Sequence, residues 1–410
     1  MPIQRHDIAI AGASFAGLTL ALALHKASGR EIGMALLDAS SGQLAAPPDQ
    51  RAFAVSAASA RLLAVIGVWP RVETAAQAVT RIDISAGRLD SPIRQTLLQY
   101  ENLVGDGDPA SFIVPAAILR EALLAAASNA GLKVSHDAAV ETTSVSTSAL
   151  VIGCANGLQI EAALAVAADG RRSPARDLMG IKTIGWAYPQ TAIVTTVTHE
   201  LAHGGVATQH FLEAGPFAIL PLPGGHRSSL VWSETREAAE RIVALDDAAF
   251  LAELQQRFGG ILGGLALAGP RLSQPLELHH ARDFTASRFA VIGDAARGVH
   301  PLAGQGLNLA LRDVAALAEC ILDARRLGLD IGGPEVLDRY ARWRRFDSVV
   351  STAAMDGLNR LFSNDNGVLR ALREAGLGLT NRLPGLKRLF VSEAAGLNGE
   401  LPKLLTGELP

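Results

Sequence analysis

Apolar residues at 7–11, a short Gly-containing turn and a second apolar run starting near Gly17 open the chain, "DIAIAGASFAGLTLALALHKA". The first run has strand length and the second helix length, so the pattern predicts strand, tight turn and helix. A short apolar run, "GMALLD", predicts another strand ending at Asp38. "DQRAFAVSAASARLLAVIGVWPRV" then places Arg51 ahead of an apolar-faced helix that ends near Gly67. Two later stretches repeat the opening theme. In "ALAVAADGRRSPARDLMGI", residues 163–181, an apolar strand runs into Asp169-Gly170, with Arg171, Arg172 and Arg176 just after. In "RFAVIGDAARGVHPLAGQGLNLALRD" a strand at Phe289–Ile292 runs into Gly293-Asp294. A helix follows from about Gly306, with Leu307, Ala310, Leu311, Val314, Leu317 and Ile321 at helical spacing.

The middle of the chain has a different rhythm. "TAIVTTVTH", "VATQHFL", "PFAILPLP" and "SSLVWSE" are short β-rich runs separated by Gly, Pro and polar turns, which predicts a mostly antiparallel sheet. "DDAAFLAELQQRFGGIL" predicts a helix packed on that sheet. The Gly-rich residues 259–269 follow no predicted strand and are not read as a second nucleotide loop.

Composition narrows the classes. A chain of 410 residues is expected to form two or three domains, because single cores rarely grow past about 250–300 residues. With 49% apolar and 19% charged residues it is globular rather than disordered. A net charge of −3, with both signs scattered, offers no footprint for nucleic acid. Cys154 and Cys320 are far apart and lack ligand spacing, so they are expected to be small core residues in a reducing compartment, with no metal site. Arg5 before an apolar run has the look of an export signal, but Asp7, Gly12 and Gly17 interrupt it. No uninterrupted apolar run reaches the roughly 18 residues a membrane span requires. The expectation is a cytoplasmic protein, soluble or peripheral at the inner membrane surface.

Candidate chemistry gathers at the three turns. Gly12-Ala-Ser14-Phe-Ala-Gly17, with Asp38 a further 21 residues on, matches a dinucleotide-binding layout apart from Ser14, which stands where a second Gly is usual. The same loop also suits an ordinary α/β turn. Arg51 is either a solvated surface cation or a partner for a pyrophosphate. Asp169-Gly170 is either a surface turn or an acceptor at the carboxyl edge of a sheet, where doubly wound folds bind ligands. At the third turn, Asp294 ends an apolar strand and needs a partner. Small residues at Gly304 and Gly306 let a planar ring lie against the backbone, and the helix end at Gly306-Leu307-Asn308 offers N–H groups and positive dipole. His300, beside Pro301, is read for its backbone rather than its ring.

Taken together, Gly12/Gly17, Asp169-Gly170 and Gly293-Asp294 with "HPLAGQGLNLALRD" resemble the three motifs of single-component FAD-dependent aromatic monooxygenases. Within that group, "GDAARGVHPLAGQGLNLALRDVAAL", "GWAYPQTAIVTTV", "GPFAILPLPGGHRSSLVW" and the tail from Asp356 to Gly396 resemble the ubiquinone-biosynthesis hydroxylases of the UbiH type. The resemblance spans nearly the whole chain. It implies FAD contacts from Gly12, Ser14, Gly17, Asp38, Arg51, Asp169, Gly170, Gly293, Asp294, Pro301, Gly304, Gly306, Leu307 and Asn308. Arg297 departs from it, standing where the family has His.

The resemblance also implies an α/β fold, α+β overall. Its Rossmann-like FAD-binding domain is discontinuous (1–80, 111–182, 280–325), with an inserted, mostly antiparallel β-sheet substrate domain (81–110, 183–279) and C-terminal helices (326–410). The implied activity is NAD(P)H- and O2-dependent hydroxylation of a polyprenylated phenol through a flavin C4a-hydroperoxide, with NADH or NADPH binding only transiently. Partners would be that phenol and O2, with a homo-oligomer or a biosynthetic complex open. Phe217 and Leu220, in the sheet, are the expected substrate-pocket walls. No catalytic side chain is assigned, since Tyr100, Tyr188, Tyr340, His203 and His210 all read as structural. From Arg370 to Val391, five basic residues alternate with leucines; such a segment lies either on its own domain, on a partner or on anionic lipid. Alternatives are hydroxylation of another aromatic compound, a non-catalytic flavin-binding scaffold, or a plain nicotinamide dehydrogenase. Trp186 and Trp232 stand alone, which disfavours a flavin halogenase.

Overall fold

Strand β1 (Gln4–Ala11) buries Ile8, Ala9 and Ile10 on both faces, as a strand inside a parallel sheet must. In the computed structural model, which describes residues 2–42, 49–87, 89, 95–299, 305–362, 385 and 391–410, it pairs in parallel with two neighbours. These are β2 (Met34–Leu37) on one side and the strand Gln159–Ala167 on the other. Helix α1 (Phe15–Ser28) makes the crossover from β1 to β2, burying Leu18, Leu20, Leu22 and Leu24.

The strand Gln159–Ala167 is shared along its length. Its first half pairs antiparallel with Leu150–Cys154, and its last residues pair in parallel with Phe289–Val291. The carboxyl ends of β1, of Gln159–Ala167 and of Phe289–Val291 therefore lie side by side. The three turns predicted from sequence, at Gly12, Asp169 and Gly293, continue from those ends.

A second, nine-stranded sheet takes the middle of the chain. Thr183–His199, Arg227–Thr235, Gly215–Leu222 and Val206–Leu212 follow in antiparallel order, and Arg81–Ala86 and Gln95–Glu101 complete one side. Helices Arg236–Val243 and Asp247–Phe258 cover one face, burying Ile242, Phe250, Leu254 and Phe258 against Ile193, Phe217, Leu230 and Trp232. The larger core lies around the first sheet and includes helix Gln305–Arg326 and both Cys154 and Cys320.

Two details differ from the sequence pattern. The strand expected to begin at Thr191 starts at Thr183, because Leu272–Ala281 pairs with "TIGWA" and a register shift between Ala187 and Thr191 absorbs Pro189. Arg297-Gly298, expected within the nucleotide-binding segment, forms a two-residue strand against His279-His280. The third turn is thus hydrogen-bonded into both sheets. No described helix is long and apolar enough to cross a membrane. The basic stretch from Arg370 lies outside the described residues until Val391, save Gly385.

Candidate active site

Gly12 adopts φ +103°, and a Cβ there would sit 2.3 Å from the Ala168 carbonyl oxygen. A Cβ on Gly17 would sit 1.9 Å from the Gly12 carbonyl oxygen. Only hydrogen fits at either position, so the turn lies flat against the end of the neighbouring strand and α1 starts directly on it. Ser14 is the N-cap of α1, yet its side chain makes no capping bond, and the first turn of the helix holds no acidic residue. The first N–H groups and the positive dipole end are therefore uncompensated by the helix's own side chains. Asp38, half-buried at the end of β2, accepts the Ala13 N–H at 3.1 Å and the Ser40 N–H at 2.7 Å. This carboxylate fixes the loop while keeping acceptor capacity for a hydroxyl pair.

The second turn is built around Asp169, which accepts from the Ser173 hydroxyl and from the Ala175 N–H. Burial pushes its carboxyl above the usual aspartate value despite those bonds. Gly170 adopts φ +89° with open space beside its Cα.

At the third turn, Gly293 adopts φ +60°, and a Cβ there would come within 3.1 Å of Ala16 Cβ and 3.4 Å of Ala310 Cβ. Its N–H donates to Asp313 Oδ2 at 3.0 Å. The Asp294 carboxylate is exposed, while its carbonyl accepts from His279 Nε2 at 2.8 Å. Arg176 is buried and donates to the carbonyls of Arg171 and Ala295, both at 3.1 Å. It clamps the second turn to the third.

Arg51 reaches the same place from strand β3 (Ala52–Ser56), which it precedes. Its guanidinium grips Asp49 with Nη2 at 2.7 Å from Oδ2 and lies 5.6 Å from the centre of the Phe53 ring, which meets Phe15 of α1 edge-on. Its pKa is raised, first by the hydrogen bond to Asp49 and then by the charges of Asp49 and Asp294.

Gly306 has open space beside its Cα, and Leu307 is buried in the core. The Asn308 side chain, 4% exposed, is fully committed to protein: it accepts from the Ser56 N–H and the Ser59 hydroxyl and donates to the Ala54 carbonyl and Gln305. Only its backbone is left for a ligand. Pro301 and Gly304, with His300, lie outside the described residues.

The two expected pocket walls part company. Phe217 is completely buried between Trp232 and Phe258 on the helix-covered face of the second sheet. Leu220, of opposite parity in the same strand, packs with Ile113, Ala52 and Ala54 on the other face. Strand alternation therefore sets the two side chains on opposite faces of the sheet, Phe217 in the helix-covered core and Leu220 on the other side.

The tyrosines and histidines considered as bases are engaged elsewhere. The Tyr340 hydroxyl donates to the Val291 carbonyl, burial pushes Tyr100 up to about 12, and His203 accepts from the Gly205 N–H while donating to the Leu222 carbonyl. Sequence reasoning missed His279 and Asp313. Asp313 carried a visible signal, an acid inside the apolar stripe of its helix; His279 carried none.

An uncapped helix end, an acceptor at the end of β2, a cation beside it, an exposed carboxylate and a bare Gly306 together suit a flavin nucleotide: pyrophosphate, ribose, polyol and planar ring.

Comparison with known proteins agrees with this geometry. The model of the FAD binding domain family matches residues 5–352. The ubiquinone hydroxylase UbiL of Rhodospirillum rubrum is 40% identical over 98% of this chain and 92% of its own length. The 3-demethoxyubiquinol 3-hydroxylase of Escherichia coli is 31% identical over 97% of this chain and 100% of its own. The crystal structure of p-nitrophenol 4-monooxygenase PnpA from Pseudomonas putida superposes with a TM-score of 0.78, at 19% identity, over 97% of this chain and 100% of that one.

Proposed function

The chain belongs to the FAD binding domain family and is an FAD-dependent aromatic hydroxylase, and from that premise we propose that it hydroxylates the ring of a polyprenylated phenol in ubiquinone biosynthesis. The names of its full-length relatives support the pathway. One observation carries the cofactor site: Gly12 packs on Ala168 and Asp169, and Gly293 packs on Ala16, so three turns far apart in sequence form one surface.

The first sheet with its helices is the cofactor side of the molecule and the second sheet is the substrate side. The N-terminus of α1 and Arg51 would hold the pyrophosphate, Asp38 a ribose, and Asp294 the polyol. Gly306 and the backbone N–H groups of Leu307 and Asn308 would receive the planar ring and favour the negative charge it carries when reduced. When bound, FAD would supply the two-electron chemistry between NADH or NADPH and O2 by which one oxygen atom enters a phenol ring as hydroxyl and the other leaves as water. The chain's own part is orientation and exclusion of water. No side chain is required as nucleophile.

The test is a visible spectrum of the protein reconstituted with FAD, then anaerobic addition of NADH or NADPH with and without polyprenyl phenols, then oxygen. Bleaching of the flavin, faster with a phenol present, and a product heavier by one oxygen atom support the reading. Failure to bind FAD overturns it. FAD binding without reduction under any of these conditions favours a scaffold role.

A further inference from the structure

The face of the second sheet turned away from its helices carries polar atoms that the fold does not use. In Arg227–Thr235, Leu230 and Trp232 point into the helix-covered core, so Ser229, Val231 and Ser233 point the opposite way. Gln209 belongs to the same face, because its register partner Ala218 alternates with Phe217 and Ile219. Ser229 and Ser233 are 1% and 2% exposed, and their hydroxyls have no hydrogen-bond partner among the described residues. The Gln209 Nε2 is likewise buried and unpartnered.

Buried polar groups are ordinarily satisfied, since an orphan loses its hydration without compensation. Three on one face of one sheet call for an explanation outside the sheet's own bonding. The positions between them are apolar: Leu220 pairs with Ser229, Ala218 pairs with both Gln209 and Val231, and Val231 pairs with Val194. This face also borders the cofactor side. Leu220 packs against the cluster of Val79, Ile113, Ala207 and Leu222, which Ala52 and Ala54 of β3 also join, and a Cβ on Gly269 would lie 3.3 Å from both Thr196 Cβ and Gln50 Oε1. Thr196 is the register partner of Ser229, and Gln50 precedes Arg51.

We propose that Gln209, Ser229 and Ser233 are the specificity-determining side chains of the substrate site, recognising oxygen substituents on an aromatic ring that lies flat on Ala218, Leu220 and Val231. This rests on the phenol-hydroxylase reading above. A hydroxylated ring supplies both a donor and acceptors, which matches the amide N–H of Gln209 and the two-way hydroxyls of the serines. A site of this kind rejects the ring that lacks the oxygen, because binding that ring leaves the polar atoms buried and unpaired.

The experiment uses the FAD-loaded protein and two probes, 2-geranylphenol and geranylbenzene, which differ only in the ring hydroxyl. Affinities are read from the change in flavin fluorescence for the wild type and for Gln209→Leu, Ser229→Ala, Ser233→Ala and their combination. The wild type is expected to prefer the phenol by about tenfold or more, and the combined variant by less than about twofold. The thermal midpoint without probe is expected to hold or rise in each serine variant, because an unsatisfied hydroxyl is removed. Equal binding of both probes by the wild type, no binding of the phenol, or an unchanged preference in the combined variant overturns the proposal. A lowered midpoint in the serine variants also overturns it, by assigning those hydroxyls to the fold. Failure of the hydroxylase reading looks different: the phenol is preferred, yet no hydroxylated product forms from it with NAD(P)H and oxygen.

Discussion

Arg297 Nη2 lies 2.8 Å from Asp313 Oδ1, and the two side chains are 2% and 0% exposed. Arg344 Nε donates to the same oxygen at 2.8 Å, while Asp313 Oδ2 takes the N–H of Gly293. One buried carboxylate thus balances two cations and fixes a turn of the cofactor site. Arg297 is held by that bond, by the Leu309 carbonyl and by the Phe284 ring, yet its Nε and Nη1 have no partner among the described residues.

Asp313→Asn is therefore expected to be the costly change at this cluster. It takes from buried Arg297 the carboxylate that pairs with it and removes a charge that Arg344 also uses, and breaking a buried pair in this way typically costs about 3–5 kcal/mol. Arg297→Met should cost less than half as much, because Asp313 keeps Arg344 and two unpartnered N–H groups leave the interior. Urea denaturation of the FAD-loaded protein gives both values, and equal costs would contradict the assignment of Asp313 as the shared counter-charge.

The glycines of the first two turns should differ sharply. Gly12→Ala drives a Cβ into the Ala168 backbone and is expected to abolish FAD binding and lower stability by several kcal/mol. Gly170→Ala meets open space and carries only the strain of a positive φ, about 1 kcal/mol. Titration of the apoproteins with FAD, beside their thermal midpoints, checks the order. A Gly12→Ala protein that binds FAD normally would remove the close approach of strand ends from the argument.

Much of this site was legible in the sequence because its backbone demands glycine and its strands end where the apolar runs end. The strand, turn and helix order at Gly12 and Gly293, and the strand and turn at Asp169, could be read from periodicity alone. What periodicity does not reveal is which face of a strand meets which neighbour, so Phe217 and Leu220 looked equivalent although they lie on opposite faces. It also cannot show long-range partners: His279 reaches the Asp294 carbonyl, and Asn308 spends its amide on Ala54 and Ser56, through contacts that exist only once the two sheets dock. Nor does anything local in the sequence mark Arg176 as a guanidinium that two carbonyls will bury.

Stability should rise with pH through the histidine range. His6, His199, His279 and His280 all have pKa values lowered from 6.5, with burial the largest cause in each. The unfolded chain thus binds more protons than the folded one between those lowered values and pH 6.5, and in that window the slope of unfolding free energy with pH is positive. The contribution is complete above pH 6.5 and is lost on acidification. Asp169, raised from 3.8, acts in the opposite sense, in the carboxylate range. His279→Gln, which retains a side-chain N–H for the Asp294 carbonyl, is expected to flatten the slope between pH 5 and 6.5; denaturation midpoints across that range measure it. An unchanged slope would remove His279 from the set of responsible groups.

Gly306→Ala separates the cofactor's requirement from the fold's. Among the described residues nothing lies within 4 Å of a Cβ at this position, and the residue belongs to the first turn of helix Gln305–Arg326. In the apoprotein, alanine should therefore be tolerated or stabilising by up to about 1 kcal/mol, as alanine is the better helix former. If the planar ring lies against this backbone, the added methyl meets the ring instead of solvent, and FAD affinity should fall by about tenfold or more, the cost of a shift of a few tenths of an ångström in a packed contact. Neighbouring Asn308→Ala is expected to do the reverse. Its amide serves β3 and the helix that follows it, so the apoprotein loses about 1–3 kcal/mol from unpaired buried groups. Differential scanning of both apoproteins beside FAD titrations reads the four quantities. A Gly306→Ala protein with normal FAD affinity would mean that the ring does not touch this turn, and the open space beside Gly306 would then need another explanation.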